Sequence, residues 1–224
     1  IKLTESRRAT IVANRVEHNG STGIWLDLDS SNSNVVGNEV IDNLWYGIEV
    51  EISDDVSVRA NRVVANADRT SPFPNPRHGV VVLDSRNTAL VDNFIDHRLG
   101  DMSADDSQAL RIAETAERPT HPRLGEISLV TSGVRLTGNT IYERSPRGIA
   151  MAFFDAKHLH GMSEMVAASD GNTFGLASGA SLASDAVRGS QFVTIRGSSA
   201  LAQWRALGCA TACRDSSSVV ETIE

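Results

Sequence analysis

The sequence has little of what marks several common protein classes. Aromatic residues make up only 5% of its 224 residues, and lysine occurs only at positions 2 and 157. No apolar run approaches the roughly 20 residues of a membrane-spanning helix. The net charge is −7, which gives the chain no electrostatic reason to bind nucleic acid or an anionic membrane. We therefore expect neither partner and no membrane span.

Several catalytic and metal-binding motifs are also missing. The chain has no glycine-rich phosphate loop, no Gly-x-Ser-x-Gly elbow and no Cys-x-x-Cys pair, which excludes nucleotide-binding, serine-hydrolase and thioredoxin-like functions. Its two cysteines, Cys209 and Cys213, have no pair of histidines nearby, which argues against zinc. They are either two buried or idle thiols or a local disulfide of an exported protein.

A pattern centred on asparagine repeats along the chain. Each copy has an apolar residue three positions before the asparagine and another two positions after it. Clear copies are centred on Asn14, Asn38 and Asn61, which are 24 and 23 residues apart. Asn93 and Asn139 keep the core of the pattern, and the segments around Asn172 and Ser198 are degraded copies. Units of this length indicate a repeat architecture.

A second element lies between the asparagine copies. Segments that begin at Gly23, Gly47 and Gly79 alternate apolar and other residues with a period of two, which is typical of strands with one buried face. The alternation predicts that the first apolar set points inward and the intervening set outward. The inward set is Ile24, Leu26, Ile48, Val50, Val80 and Val82, and the outward set is Trp25, Asp27, Glu49, Glu51, Val81 and Leu83.

The two elements together predict an all-β fold, a single-domain parallel β-solenoid. Each coil cannot bury its own apolar face, so the coils stack and share a core. We expect the asparagines to stack at one corner, with the amide bonded to the next coil and the asparagine backbone in the left-handed bend. No helix is expected in the coils. A β-sandwich would leave the asparagine period unexplained.

The solenoid is predicted to occupy residues 1–200 and a capping tail residues 201–224. Residues 201–207 are expected to form a short cap, with Trp204 over the core. No cap precedes Ile11, so we expect further coils before Ile1. Insertions are predicted at 67–78, 98–107, 115–126 and 156–165, all flanking the same strand of the coil. They would wall in a groove on its outer face.

The pattern Asn-x-Val/Ile-x-x-Asn followed by Gly-Ile-x-Val/Leu resembles the right-handed parallel β-helix repeat family. This pectate-lyase-like superfamily includes pectin and alginate lyases, polygalacturonase-like hydrolases, epimerases and tailspikes. The resemblance covers residues 9 to 200 and implies a right-handed β-helix, an exported protein (extracellular or periplasmic) and a polysaccharide or oligosaccharide partner. The Asn-Thr-Asp, Asp-Asp, Gly-His-Gly and Arg-Ile-Lys motifs of polygalacturonases are absent, as is the set of Lys and Arg residues expected of a lyase.

Carboxylates are concentrated on the outward face of the glycine-led strands. Alignment on the glycines places Asp27 beside Glu51, with Asp29, Glu49 and Arg111 in the same patch. Strand interiors are depleted in acidic residues, so packing alone does not account for this cluster. Like charges at the coil spacing of ~4.8 Å raise at least one carboxyl pKa, as a general acid near neutral pH requires.

Three interpretations of the patch remain open. In a glycoside hydrolase, which we favour, Asp27 and Glu51 form the acid/base pair, with Asp29, Glu49 and Arg111 in support. In a polysaccharide lyase, the patch binds Ca²⁺ and Arg111 or a loop base removes a proton. In a non-catalytic glycan-binding or structural module, these are solvated charges. No cofactor is predicted beyond this optional Ca²⁺, and no other metal site.

Aromatic and basic residues around the groove are candidate substrate contacts. Trp25 and Tyr46 can stack on sugar rings, and the loop histidines can serve as a base or as sugar ligands. The candidate substrate-binding residues are Trp25, Trp45, Tyr46, Arg77, His78, His121 and His158. His158 and His160 are too isolated in the sequence to predict a metal site.

Overall fold

The structure is a computed structural model. It describes residues 1–66, 77–97, 107–115, 120–121, 125–126, 130–157, 160–187, 191–207 and 215–223. Cys209 and Cys213 lie outside this part, as do most of the residues of the predicted insertions. None of the helices within these ranges is long and apolar enough to cross a membrane.

Three long sheets wind around a common core. The first sheet contains β1 (Lys2–Thr4), β4 (Ile24–Asp27), β7 (Ile48–Glu51), β10 (Arg77–Leu83), β13 (Ser107–Glu114), β18 (Ile149–Asp155), β21 (Ser181–Val187) and β22 (Gln191–Ile195). The second contains β2 (Thr10–Val12), β5 (Asn34–Val36), β8 (Ser57–Arg59), β11 (Ala89–Val91), β16 (Val134–Thr137) and β19 (Val166–Asp170). The third contains β3 (Arg15–Glu17), β6 (Glu39–Ile41), β9 (Arg62–Val64), β12 (Phe94–His97), β17 (Thr140–Glu143), β20 (Thr173–Ala177) and β23 (Val219–Ile223).

Within these three sheets the strands pair in parallel with the equivalent strand one coil away, except for the antiparallel pair β21 and β22. This confirms the predicted parallel β-helix. The inward-facing residues of the first sheet are fully buried, and the other two sheets add valines, leucines and isoleucines from their own inner faces. One apolar stack therefore runs through all the coils, because the three strands of each coil direct their inner residues toward the same axis.

Asparagines join successive coils where the second sheet turns into the third. The asparagine row consists of Asn14, Asn38, Asn61, Asn93, Asn139 and Asn172. Each amide Nδ2 donates to the Oδ1 of the next member, at 2.9 to 3.0 Å. A shorter second row, Asn19, Asn43 and Asn66, joins coils where the third sheet turns into the first.

The left-handed backbone lies on the residue before each asparagine, which corrects our expectation for the asparagine itself. Ala13, Gly37 and Ala60 have φ of 53°, 62° and 53°. The asparagine amide instead closes this bend, as when Asn38 Nδ2 donates to the carbonyl of Val36 at 3.3 Å. The asparagine must follow the left-handed residue, because its side chain reaches back over the bend to a carbonyl on the other side.

The C-terminal part departs from the prediction in two ways. The segment before Ser198 is β22, an antiparallel return strand, and not a further coil. Ser218 takes the position after Asn172 in the row. Its Oγ accepts a hydrogen bond from the backbone N–H of Asn172 at 2.9 Å. β23 then extends the third sheet by pairing with β20, so the tail contributes a strand as well as a cap.

Two short helices occur among the described residues, and the first of them is against the expectation of none in the coils. α1 (Met162–Met165) falls within the predicted insertion at 156–165, and α2 (Ala200–Leu207) lies within the capping region. Trp204 of α2 is fully buried and stacks on Phe153 with ring centroids 5.8 Å apart. Helix α2 therefore covers the apolar core near the C-terminal end.

The insertions begin and end at slightly different residues from those predicted. Arg77 and His78 already belong to β10, and Ser107 is the first residue of β13. Within 115–126 the chain forms an antiparallel pair, β14 (Thr120–His121) with β15 (Gly125–Glu126).

Candidate functional site

The first sheet carries the predicted carboxylates on its outer face. Trp25 pairs in register with Glu49, and Leu26 with Val50, so Asp27 and Glu51 occupy the next position on neighbouring coils. On the following coil Val81 lies beside Glu49 and Leu83 beside Glu51. Period-two alternation therefore gave the correct side of the sheet for each of these residues.

The outward residues are less exposed than their side of the sheet suggested. Asp27 is 6% exposed and Glu49 only 5%, whereas Trp25 and Glu51 are half-buried. We call Asp27, Glu49 and Glu51 the carboxylate patch. Burial of carboxylates in this way is costly unless they are hydrogen-bonded, ion-paired or protonated.

Each carboxylate of the patch has a different partner. Asp27 Oδ2 lies 2.8 Å from the Lys2 ammonium. Glu51 Oε2 accepts a hydrogen bond from the Trp25 indole Nε1 at 3.0 Å. Glu49 Oε2 accepts one from the Thr22 hydroxyl at 3.1 Å. The patch thus combines one ion-paired carboxylate with two that have neutral donors.

These environments separate the protonation states of the patch. Burial raises the pKa of Glu49 to about 8, and repulsion from Glu51 adds to the rise. Burial also raises the pKa of Glu51 to about 7, with a further contribution from the Asp27 charge. The hydrogen bond from Trp25 opposes that rise. Glu51 can therefore hold a transferable proton near neutral pH.

Lys2 is a member of the site that the sequence did not reveal. Besides its ion pair with Asp27, its Nζ lies 3.2 Å from the centre of the Trp25 ring. The strand register gives the reason, because Lys2 pairs with Trp25 one coil earlier. The alignment on glycines began at Gly23 and so left this coil out.

Arg111 and His78 lie together beside the patch. The ring of His78 stacks on Tyr46 with centroids 5.3 Å apart, and its Nε2 lies 3.4 Å from Arg111 Nη1. Arg111 also lies over Phe154, 5.2 Å from the ring centre. Tyr46 is close enough to Glu49 for that charge to contribute, after burial, to a raised tyrosine pKa. Two of the predicted substrate contacts, Tyr46 and His78, therefore form one group with Arg111, which was predicted to support catalysis.

The remaining predicted residues lie elsewhere or outside the description. Asp29 follows β4 in a left-handed conformation and contacts Arg7 and Ser31, not another carboxylate of the patch. Trp45 is half-buried at the turn before β7. The side chains of Arg77 and His121, and all of His158, lie outside the described part of the structure.

A second group of carboxylates follows at the end of the same sheet. Asp84 follows the last residue of β10, Glu114 and Asp155 end β13 and β18, and all three are buried. Burial raises the pKa of Asp84 to about 6, and Glu114 contributes repulsion, although both Asp84 oxygens accept hydrogen bonds from Thr115. This group was not predicted from the sequence, because its members stand at or just after strand ends, outside the repeated motif.

Comparisons with known proteins agree with this architecture. Residues 1–95 match a family described as right handed beta helix region. Among solved structures, the periplasmic alginate epimerase AlgG is similar over 100% of this chain and 36% of its own, with 16% identity and a TM-score of 0.51. DFA-IIIase from Arthrobacter chlorophenolicus A6 covers 99% of this chain and 51% of its own, with 17% identity and a TM-score of 0.40.

The comparisons support the fold and its hand. No curated protein matches the sequence. The chain spans about a third of the length of AlgG, and at 16% identity the likeness is one of fold alone. The parallel coils and the match over residues 1–95 show that this chain has the fold of a right-handed parallel β-helix.

Proposed function

We propose that the chain is an exported carbohydrate-active enzyme, and specifically a glycoside hydrolase. The observation that carries the proposal is the split environment of the carboxylate patch, where Asp27 is ion-paired and Glu51 has a pKa of about 7. Two carboxyl groups with different protonation states are the minimum machinery for cleavage of a glycosidic bond. The AlgG likeness, to a protein described as periplasmic and acting on alginate, supports the carbohydrate class and the export.

The roles follow from the partners of each carboxyl group. Glu51 is the general acid, since it retains a proton near neutral pH and is half-buried rather than sealed. Asp27 is the base or nucleophile, since its ion pair with Lys2 requires the charged form. Glu49 is more deeply buried and acts in support, as a neutral neighbour that limits the negative charge of the patch.

The coil spacing favours a retaining mechanism. Asp27 and Glu51 stand on adjacent coils, which lie ~4.8 Å apart. Retaining enzymes separate their carboxyl groups by about 5–5.5 Å and inverting enzymes by about 6.5–9.5 Å. We therefore assign Asp27 the role of nucleophile. Proton NMR of the first-formed product would test this assignment through its anomeric configuration.

A polysaccharide lyase is the second candidate, and one observation favours it. Lys2, His78 and Arg111 place basic groups along the same face, where they could bind a uronate carboxylate and remove its neighbouring proton. The sequence had indicated few cations on this face, and the position of Lys2 weakens that objection. Binding without cleavage is the third outcome and corresponds to a glycan-binding module.

The decisive experiment measures the product, not only the activity. Neutral and acidic polysaccharides are incubated with the chain, and reducing ends and ultraviolet absorbance of unsaturated products are followed together. Reducing ends without absorbance support the hydrolase, and absorbance moves the assignment to a lyase. We expect Glu51→Gln or Asp27→Asn to lower kcat by about 10²–10⁴-fold. Glu39→Gln, on the third sheet beside Arg15 and Arg62, is the matched control. Full activity in the Asp27→Asn/Glu51→Gln double variant would refute the proposal.

A further inference from the structure

A cluster of three potential ligands lies at the end of the first sheet, outside the carboxylate patch. Glu114 ends β13 and Asp155 ends β18, and the two are direct neighbours in the strand register. His160 follows a few residues after Asp155. One ligand atom from each of the three residues lies within 4.8 Å of the others. We call Glu114, Asp155 and His160 the corner cluster.

The carboxylates of this cluster are held in place by backbone amides. Asp155 accepts the N–H of Lys157 at 2.7 Å on one oxygen and the N–H of His160 at 2.8 Å on the other. Glu114 Oε1 accepts the N–H of Thr131 at 2.8 Å, which leaves Oε2 directed at the His160 ring. Orientation of ligands by outer hydrogen bonds is a regular feature of metal sites in proteins.

The geometry between Glu114 and His160 suits two ligands of one metal ion. The Nδ1 of His160 lies 3.0 Å from Glu114 Oε2. Two ligand atoms bonded to the same ion at about 2.0–2.2 Å, in tetrahedral or octahedral geometry, lie roughly 3.0–3.5 Å apart. A small movement of Asp155 would bring the third ligand to bonding distance, because a carboxylate can ligate through either oxygen.

A neighbouring buried carboxylate gives independent evidence of unbalanced polarity here. Asp185 is 2% exposed, and its Oδ1 has no hydrogen-bond partner among the described residues. Its Oδ2 accepts the N–H of Met162, two residues after His160. Burial raises the pKa of Asp185, and the charges of Glu164 and Asp155 contribute to the rise. Buried carboxylate oxygens at this corner therefore favour a proton or a cation nearby.

We propose that Glu114, Asp155 and His160 bind a divalent first-row transition metal ion, with Zn²⁺ and Mn²⁺ as the best candidates. An imidazole nitrogen with two carboxylates suits these ions, whereas Ca²⁺ prefers an all-oxygen shell of six to eight ligands. Glu114 and Asp155 are buried, and the His160 side chain is 35% exposed, which gives an ion a route from solvent. Water would complete the shell.

The competing explanation is a simple ion pair. The hydrogen bond with Glu114 raises the pKa of His160, so a protonated His160 could neutralise Glu114 without any metal. The two explanations differ in one measurable respect. A metal site binds one equivalent of ion and releases protons on binding, and an ion pair does neither.

The test is calorimetric titration of the chelator-treated chain with Zn²⁺, Mn²⁺ and Ca²⁺, each alone, near pH 7.5. We expect one equivalent of Zn²⁺ or Mn²⁺ to bind, and both His160→Ala and Glu114→Gln to weaken the affinity by about 100-fold or more. With Co²⁺ as a probe, visible absorption bands of a nitrogen- and oxygen-ligated ion should appear and be lost in His160→Ala.

His18→Ala is the matched control. His18 also faces two carboxylates, with Glu17 at 4.0 Å and Asp42 at 3.8 Å, but its side chain is 70% exposed. Its removal should leave the affinity unchanged. Binding that is absent, specific to Ca²⁺, or equal in wild type and His160→Ala would overturn the proposal. Should Glu114→Gln fail to fold, the half-exposed His160 variant still decides the outcome.

Discussion

The asparagine row and the carboxylate patch both place polar side chains on successive coils, but with opposite electrostatic results. An amide carries a donor and an acceptor, so Asn61 can donate to Asn93 and accept from Asn38 at the same time. A carboxylate only accepts, so Asp27 and Glu51 repel each other across the same interval. Amides stacked at the coil spacing therefore stabilise each other, whereas repulsion between stacked carboxylates favours their protonated form.

This difference explains why the asparagine row extends over six coils and the carboxylate patch over only two. Each added asparagine satisfies a buried amide on the coil before it, so extension is favourable. Each added carboxylate increases repulsion unless further donors satisfy it, as backbone N–H groups do at Asp84, Glu114 and Asp155. In the patch no such donors follow among the described residues, and the next outward residues along the first sheet are Val81 and Leu83. The carboxylate patch thus interrupts a solenoid whose other polar rows repeat stabilising contacts.

The largest expected effect comes from placing a carboxylate in the asparagine row. Asn61→Asp places an acceptor against Asn93 Oδ1 and the Val35 carbonyl, both of which now receive the Asn61 amide. The site is 1% exposed, so we expect a loss of about 3–5 kcal/mol in the free energy of unfolding at neutral pH. Protonation restores a donor, so the loss should shrink towards pH 4. Urea unfolding at both pH values measures it.

Asn14→Asp is the control for this change. Asn14 belongs to the same row but is exposed, and its Nδ2 donates to Asn38 Oδ1 and to the Val12 carbonyl. Water can solvate the new carboxylate there, so we expect a loss of less than about 1 kcal/mol. Equal losses at the two positions would show that burial of the row is not what makes the amide necessary.

A smaller effect of opposite sign is expected from neutralisation of Glu49. The pKa of Glu49 is about 8 in the folded chain and near the ordinary 4.5 when unfolded, so the folded state binds more protons between these values. Stability contributed by this group is therefore lost as the pH rises from about 4.5 to about 8. Glu49→Gln should remove that loss and stabilise the chain at pH 9 by roughly 2–4 kcal/mol, with little change near pH 4.

Thermal unfolding of the wild-type chain and of the Glu49→Gln variant, followed from about pH 4 to about pH 9, tests the prediction. Glu39→Gln is again the matched control, because Glu39 forms ion pairs with Arg15 and Arg62 on the third sheet. Its substitution should cost less than about 1 kcal/mol and give no gain at high pH. A Glu49→Gln variant that is less stable than wild type at pH 9 would mean that the Glu49 charge is compensated in the native state.

The sequence predicted the fold well because the repeat is local. Asn14, Asn38 and Asn61 each stand in a nine-residue motif, and period two fixes which neighbours face the core. The prediction failed where local pattern and pairing differ. Ile195 and Ser198 resemble a coil, but β22 runs antiparallel, and only the structure shows that Ser218 follows Asn172 instead.

The site was only partly predictable for a related reason. The period-two alternation predicted that Asp27 and Glu51 point outward. Their burial depends on the residues that cover the sheet, and no motif encodes those residues. The corner cluster was missed because Glu114 and Asp155 stand at strand ends and His160 reaches them from the following loop. Sequence separation of 46 residues between Glu114 and His160 leaves no local signal.

The smallest expected effect concerns Lys2, the cation beside the carboxylate patch. Lys2 pairs with Asp27, and its charge lowers the pKa values of Glu49 and Glu51 against the effect of burial. Its side chain is 43% exposed, so Lys2→Met should change stability by less than about 1 kcal/mol. The limb of the pH profile of kcat/KM that we assign to Glu51 should nevertheless move to higher pH, because Glu51 becomes harder to ionise without the Lys2 charge. Lys2→Arg keeps the charge and should leave the profile in place. An unchanged profile in Lys2→Met, measured on the substrate found in the polysaccharide panel, would show that Glu51 is not the general acid.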